Sequence, residues 1–228
     1  MRQRAGAVAL TAACVLLFAV LCLLVLTRTT DRLDLWVGAR IDPDPEWNPL
    51  QEKADHAVHA FGPVRQVAVV TALALVLSAW RRRLGPLILT LGVVGAASVV
   101  EIGVKWVLPR LESHDPIHHA GSFPSGHLTL TLSCAGALVL ASGAASHWWA
   151  WTVVVALGAA MAAGLLITDT HRLTDLAGGA LIATGTLALA RVAARLFDRQ
   201  YGGEGPDPAA VATPNPKNQK RRTPSSIA

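Results

Sequence analysis

Six stretches of apolar residues, each near the length that crosses a lipid bilayer, constrain this chain more than any other feature. They fall at about 7–27, 64–80, 85–109, 127–146, 148–168 and 173–197, against the ~20 residues that a transmembrane helix needs. A soluble core has no use for so many. Composition agrees: 52% of the 228 residues are hydrophobic and the mean hydropathy is +0.43, beyond the needs of an average globular domain. The runs predict an all-α, polytopic membrane protein, a bundle of six transmembrane helices within residues 1–200. The first run follows Arg2 and Arg4, as a secretory signal would. It is longer than the usual signal core of roughly 7–15 residues, and Arg28-Thr29-Thr30-Asp31 offers no small-x-small cleavage site. A retained span is expected.

Charge orients the bundle. The net charge is +5, but the basic residues gather in short patches beside apolar runs rather than along one polar face, so nucleic acid is not an expected partner. Arg2 and Arg4, the Arg81-Arg82-Arg83 cluster, and a tail with Arg191, Arg195, Arg199, Lys217, Lys220, Arg221 and Arg222 all fall on one side of a six-span arrangement. The positive-inside rule makes that side cytoplasmic, with both termini there, in a multi-pass protein of the cell membrane. The opposite side receives the loop 28–63, which carries Asp31, Asp34, Asp42, Asp44, Glu46, Glu52 and Asp55. Trp80, Trp106, Trp148, Trp149 and Trp151 lie near the span ends, where an interfacial belt places them. Residues 201–228 are too poor in apolar side chains to fold alone and are expected to be a disordered cytoplasmic tail. Cys14, Cys22 and Cys134 all sit inside apolar runs, so neither a disulfide nor a thiol-bound metal is expected. No internal repeat of the kind found in inverted-repeat transporters is visible.

Two short segments carry candidate chemistry. Pro124-Ser125-Gly126 leads into an apolar run that begins with His127. Ser125 or Gly126 can cap that helix, and the early amides and positive dipole end attract an anion. Forty-four residues beyond His127 comes His171, followed by Arg172 and, four residues on, Asp175. A carboxylate at that spacing can accept one imidazole N–H, fix the tautomer and leave the other nitrogen as nucleophile or base. In six spans, both histidines stand at the same outward end. Glu101 and Lys105 are an i, i+4 pair near the outer end of the third span, where ionisable groups are costly and are paired or functional. Arg110, in the loop that follows, can bind phosphate through both arms of its guanidinium.

These segments resemble the type 2 phosphatidic acid phosphatase and vanadium haloperoxidase superfamily, in its membrane lipid-phosphate branch. The Pro-Ser-Gly-His motif is complete at 124–127 and the His-x-x-x-Asp motif at 171–175. The resemblance implies six spans with the active site at the outer face, and hydrolysis of a lipid phosphomonoester or diphosphate without metal or other cofactor. It implies that His171 attacks phosphorus, that Asp175 orients its ring, and that His127 protonates the leaving oxygen and then activates water. Lys105, Arg110, Ser125, Gly126 and Arg172 are the expected phosphate-binding groups. The expected partners are a lipid phosphate and the surrounding membrane lipids. Phosphoryl transfer to another acceptor by the same intermediate, or noncatalytic lipid-phosphate binding, remain open alternatives.

The chain departs from the family pattern twice. Seven residues after Lys105, where the family has arginine followed by proline, stand Glu112 and Ser113, so Arg110 must substitute. Where the third motif has Ser-Arg, this chain has Gly164 and Leu165. Arg172 is either the replacement for that arginine or a solvent-facing loop residue. His114, His118 and His119 belong to the same outer loop as Arg110, and a polar loop at the substrate entrance is expected there rather than a metal site.

Overall fold

In hydrocarbon every backbone amide has to find its partner within the protein, and a helix satisfies each one internally. The apolar runs accordingly become helices. The structure, a computed structural model, describes residues 2–41, 47–108 and 121–201. It divides into a unit of residues 1–192 and a second of 193–228, of which only helical backbone up to Tyr201 is described. Arg110, Glu112, Ser113, His114, His118 and His119, the acidic residues 42–46 and the tail beyond Tyr201 lie outside the described residues.

Among the described residues there are eight α-helices, α1 Arg2–Leu26, α2 Asp31–Ile41, α3 Pro49–Ala60, α4 Pro63–Arg81, α5 Gly85–Val107, α6 Gly126–Ala141, α7 Trp148–Ile167 and α8 Leu173–Tyr201, with a single turn of 3₁₀ helix at Ala144–Ser146. Five are long and apolar enough to cross a bilayer: α1, α4, α5, α7 and α8. The protein is a multi-pass membrane protein built of helices. Its surface is inverted accordingly. Leu16, Val64, Val76, Ile88, Val99 and Val107 are exposed, and the faces they line are suited to lipid.

The fourth run differs from the full-length helix expected over 127–146. α6 has 16 residues, about 24 Å at 1.5 Å per residue, short of the ~30 Å hydrocarbon core. Its C-terminal end stops because Gly143 takes a left-handed φ of 75°, which glycine adopts without a Cβ penalty. At its N-terminal end the chain runs as irregular backbone through residues 121–125, every one of them buried. Such backbone is tolerated at membrane depth only where protein surrounds it. α6 is the central element, packed against α4, α5 and α7, and Gly136 and Gly158 let Leu187 of α8 and Leu132 of α6 approach to distances that a Cβ would obstruct. The segment 28–63 is likewise more than a loop, since it contains α2 and α3, and both pack on α7. Asn48 starts α3 with a full capping box, its side chain taking the Leu50 and Gln51 amides while Gln51 returns to the Asn48 amide.

Candidate active site

The N-terminal ends of α6 and α8 and the C-terminal ends of α5 and α7 meet at one end of the bundle. The Arg81-Arg82-Arg83 cluster lies at the other, between α4 and α5. What brings the first pair of ends together is a set of backbone contacts. The Ser125 amide donates to the Asp175 carbonyl at 2.9 Å, tying the first histidine segment directly to the second. Gly179 lies so close that a Cβ there would come within 2.7 Å of the Ser125 carbonyl oxygen, and one at Gly178 within 2.9 Å of the Phe123 ring. Phe18 of α1 stacks on Phe123, ring centroids 5.9 Å apart. The Gly178-Gly179 pair is a site determinant that sequence reasoning missed; two adjacent glycines inside an otherwise apolar helix were the available signal.

Ser125 is the N-cap of α6. Its hydroxyl accepts from the Leu128 amide at 3.5 Å, and the Thr129 hydroxyl donates to its carbonyl at 2.7 Å. It is wholly buried, so its structural contribution is the shape of the helix start. The Gly126 and His127 amides, in the first turn, have no partner within the helix. The expected Glu101–Lys105 pair is present at 2.7 Å, and it stands at this same helix start. A Cβ on Gly126 would lie 2.8 Å from the Glu101 carboxylate and 3.5 Å from Lys105 Nζ. The motif glycine is thus the residue that admits the ion pair of α5.

His127 and His171, distant in sequence, face each other with ring centroids 6.3 Å apart and planes at 64°. His171 precedes α8 rather than lying on it, because the helix begins only at Leu173. Its Nδ1 is buried without a hydrogen-bond partner, 3.7 Å from Asp175 Oδ2, which is too long for a hydrogen bond. Asp175, wholly buried, takes the Arg172 amide on the same oxygen at 3.0 Å. The Arg172 guanidinium turns toward Asp31 of α2, 3.8 Å away.

Leu165, at the position of the family arginine, is only 1% exposed and packs with Val58, Leu128, Met161 and Leu176. Gly164 beside it is pressed by Val58, whose Cγ2 would stand 2.8 Å from an added Cβ. The two departures Gly164 and Leu165 therefore form the apolar seat of α3 on α7. Seating α3 brings in His59, whose Nδ1 pairs with Asp55 at 3.1 Å. Neither His59 nor the buried Asp34, which hydrogen-bonds Thr174, is marked by a local motif.

A crystal structure of a PAP2-type transmembrane phosphatidylglycerolphosphate phosphatase from Bacillus subtilis superposes on this chain with a TM-score of 0.68. The chain has the PAP2 fold. The two sequences are 18% identical over an alignment that covers 86% of this chain and 98% of the other, so the PAP2 fold extends through nearly the whole of both. No protein-family model and no curated protein matches the sequence.

Proposed function

We propose that this protein is an integral membrane lipid-phosphate phosphatase that works through a phosphohistidine. The observation that carries the reading is the meeting of His127 and His171 beside Lys105, at the amide end of α6. In the first step His171 Nε2 attacks phosphorus as the bond to the lipid oxygen breaks, and His127 delivers the proton that oxygen needs. In the second, His127 takes a proton from water, the water oxygen attacks phosphorus, the P–N bond breaks, and phosphate leaves. Asp175, moving within hydrogen-bond reach of His171 Nδ1, holds the tautomer and stabilises the imidazolium.

The negative oxygens need preorganised donors in a dry site. Lys105 and the Gly126 and His127 amides supply them, with Ser125 shaping the turn and Arg110 and Arg172 as further cations. A lipid substrate suits a site at the ends of membrane-length helices, level with head groups. Polyprenyl diphosphate, phosphatidate and phosphatidylglycerol phosphate are the candidates, the last also named for the protein of similar fold. The proposed topology puts the site outside and both termini in the cytoplasm, with α6 and residues 121–125 together making the fourth of six crossings.

Release of inorganic phosphate from a panel of these lipids by detergent-purified protein, with chelator present, tests the reading. Chelator-resistant release that vanishes in His171→Ala is the expected result. Equal release by wild type and His171→Ala would remove the mechanism, and binding without release by folded protein would favour a noncatalytic lipid-phosphate binder.

A further inference from the structure

The first turn of α8 lies between the two halves of the His171–Asp175 pair, and the chain cannot cap it locally. With the helix beginning at Leu173, Arg172 holds the N-cap position, and a guanidinium has donors only. It can accept nothing from the exposed amides of the turn. Asp175, third in the helix, does reach back to the Arg172 amide at 3.0 Å, which is one half of a capping box. The other half comes from α2, far away in sequence. Asp34 Oδ1 accepts the Thr174 amide at 3.1 Å and its Oδ2 the Thr174 hydroxyl at 2.7 Å. Asp34 is 4% exposed and so is Thr174. A carboxylate buried to that degree is tolerable only where hydrogen bonds and a helix dipole offset its lost hydration. Its neighbours Leu33, Leu35 and Trp36 are exposed, so Asp34 is the point at which α2 is anchored, with the looser Asp31–Arg172 pair as a second attachment.

We propose that Asp34 is a positioning residue that caps α8 from α2 and thereby sets the distance at which Asp175 orients His171; the inference rests on the phosphohistidine reading above. The 3.7 Å between His171 Nδ1 and Asp175 Oδ2 has to shorten by roughly 0.5–1 Å to become a hydrogen bond. The seat of the first turn of α8 governs that distance, and Asp34 holds the seat.

The experiment compares full-length wild type, Asp34→Ala, Asp34→Asn, Thr174→Val and the double variant Asp34→Ala/Thr174→Val. It measures lipid-phosphate turnover and backbone hydrogen exchange over residues 170–178, with His171→Ala as control. Asp34→Ala is expected to lower kcat on the order of 10²-fold, the scale of a misplacement near 1 Å, with KM within about twofold and faster exchange in that segment. Asp34→Asn keeps an acceptor for the Thr174 amide and should restore most of kcat and of the protection. The double variant should be no worse than Asp34→Ala, because both remove one interaction. Unchanged exchange in a folded Asp34→Ala would show that the cap is not in place and overturn the proposal. So would accelerated exchange with wild-type kcat, or a loss confined to KM, while His171→Ala is inactive. Should Asp34→Ala not fold, low kcat in a folded Asp34→Asn with wild-type exchange would overturn it as well. Turnover insensitive to His171→Ala would instead refute the phosphatase reading itself, and the positioning role with it.

Discussion

The two ends of α6 solve the same physical problem in opposite ways. A helix leaves carbonyls unpaired at its C-terminus and amides unpaired at its N-terminus. At the C-terminal end Arg81 closes the account of carbonyls, donating to Ala141 at 2.9 Å and Ser142 at 2.7 Å. The charge read from sequence as a topology signal is also a helix cap. At the N-terminal end the nearby cation, Lys105, is held by Glu101 beside the helix start rather than on it, and in the proposed function the Gly126 and His127 amides serve the phosphoryl group. One end is closed by the protein for stability, while the other is kept open, and the histidines stand at the open one.

The largest effect should come from breaking the open end chemically. His171→Ala removes the proposed nucleophile, and loss of roughly 10⁴–10⁶ in kcat is expected, the scale of deleting a member of a catalytic unit. Unfolding in detergent should be little changed. His127→Ala should leave attack possible but slow water activation, so acid-labile phosphate should accumulate on His171 and be visible after rapid quenching. Failure to trap it, with turnover lost, would argue against the covalent intermediate.

Gly126→Ala breaks the same end sterically. The new Cβ would sit 2.8 Å from the Glu101 carboxylate, closer than such atoms remain, so the Glu101–Lys105 pair must shift away from the helix start. A fall of about 10–10² in kcat/KM is expected, the size of losing one preorganised donor or somewhat less. Affinity for inorganic phosphate as a product inhibitor should fall with it. Wild-type inhibition by phosphate would show that Lys105 does not serve the anion.

How much of this was legible in the sequence follows from the range of each interaction. Apolar runs, the Pro-Ser-Gly-His turn and the i, i+4 pair Glu101–Lys105 are local, and each is readable from spacing alone; the His171–Asp175 spacing is local too, but that the helix begins only at Leu173, after His171, is not readable from it. The meeting of His127 with His171 was legible only as a consequence of counting spans. The shortness of α6 was not, because the run 127–146 carries no Asp, Glu, Lys or Arg and only Ser142-Gly143 hints at where the helix stops. Nor was Asp34 on Thr174, a bond between residues 140 positions apart with no compositional trace. Leu165 illustrates the limit from the other side. The sequence shows an apolar residue where the resembling family has arginine, whereas only the structure shows that Leu165 packs against Val58 of α3.

Arg81→Ala breaks the closed end, and the expected outcome is the reverse of the preceding ones. Two hydrogen bonds from a charged donor to helix carbonyls are lost, at a cost of about 1–3 kcal/mol. The unfolding midpoint in detergent should fall, while kcat and KM of the folded fraction stay near wild type. A kcat that falls as steeply as stability would mean that the two ends of α6 are coupled and that the contrast between them is too simple.

The smallest effect belongs to Arg172, and it sharpens what the open end contains. Its guanidinium lies 3.8 Å from Asp31, with about a third of each side chain exposed, and such a pair contributes about 0–1 kcal/mol. Little therefore prevents Arg172 from turning to a phosphoryl oxygen when substrate binds. If it does so, Arg172→Ala should raise KM about three- to tenfold, whereas Asp31→Ala, which frees the same guanidinium, should leave KM unchanged or lower it. Those opposite signs matter more than their size, because loss of a structural ion pair would move both variants in the same direction. Equal effects from the two would return Arg172 to the role of a surface contact of α2 and leave Lys105, with the α6 amides, to carry the anion.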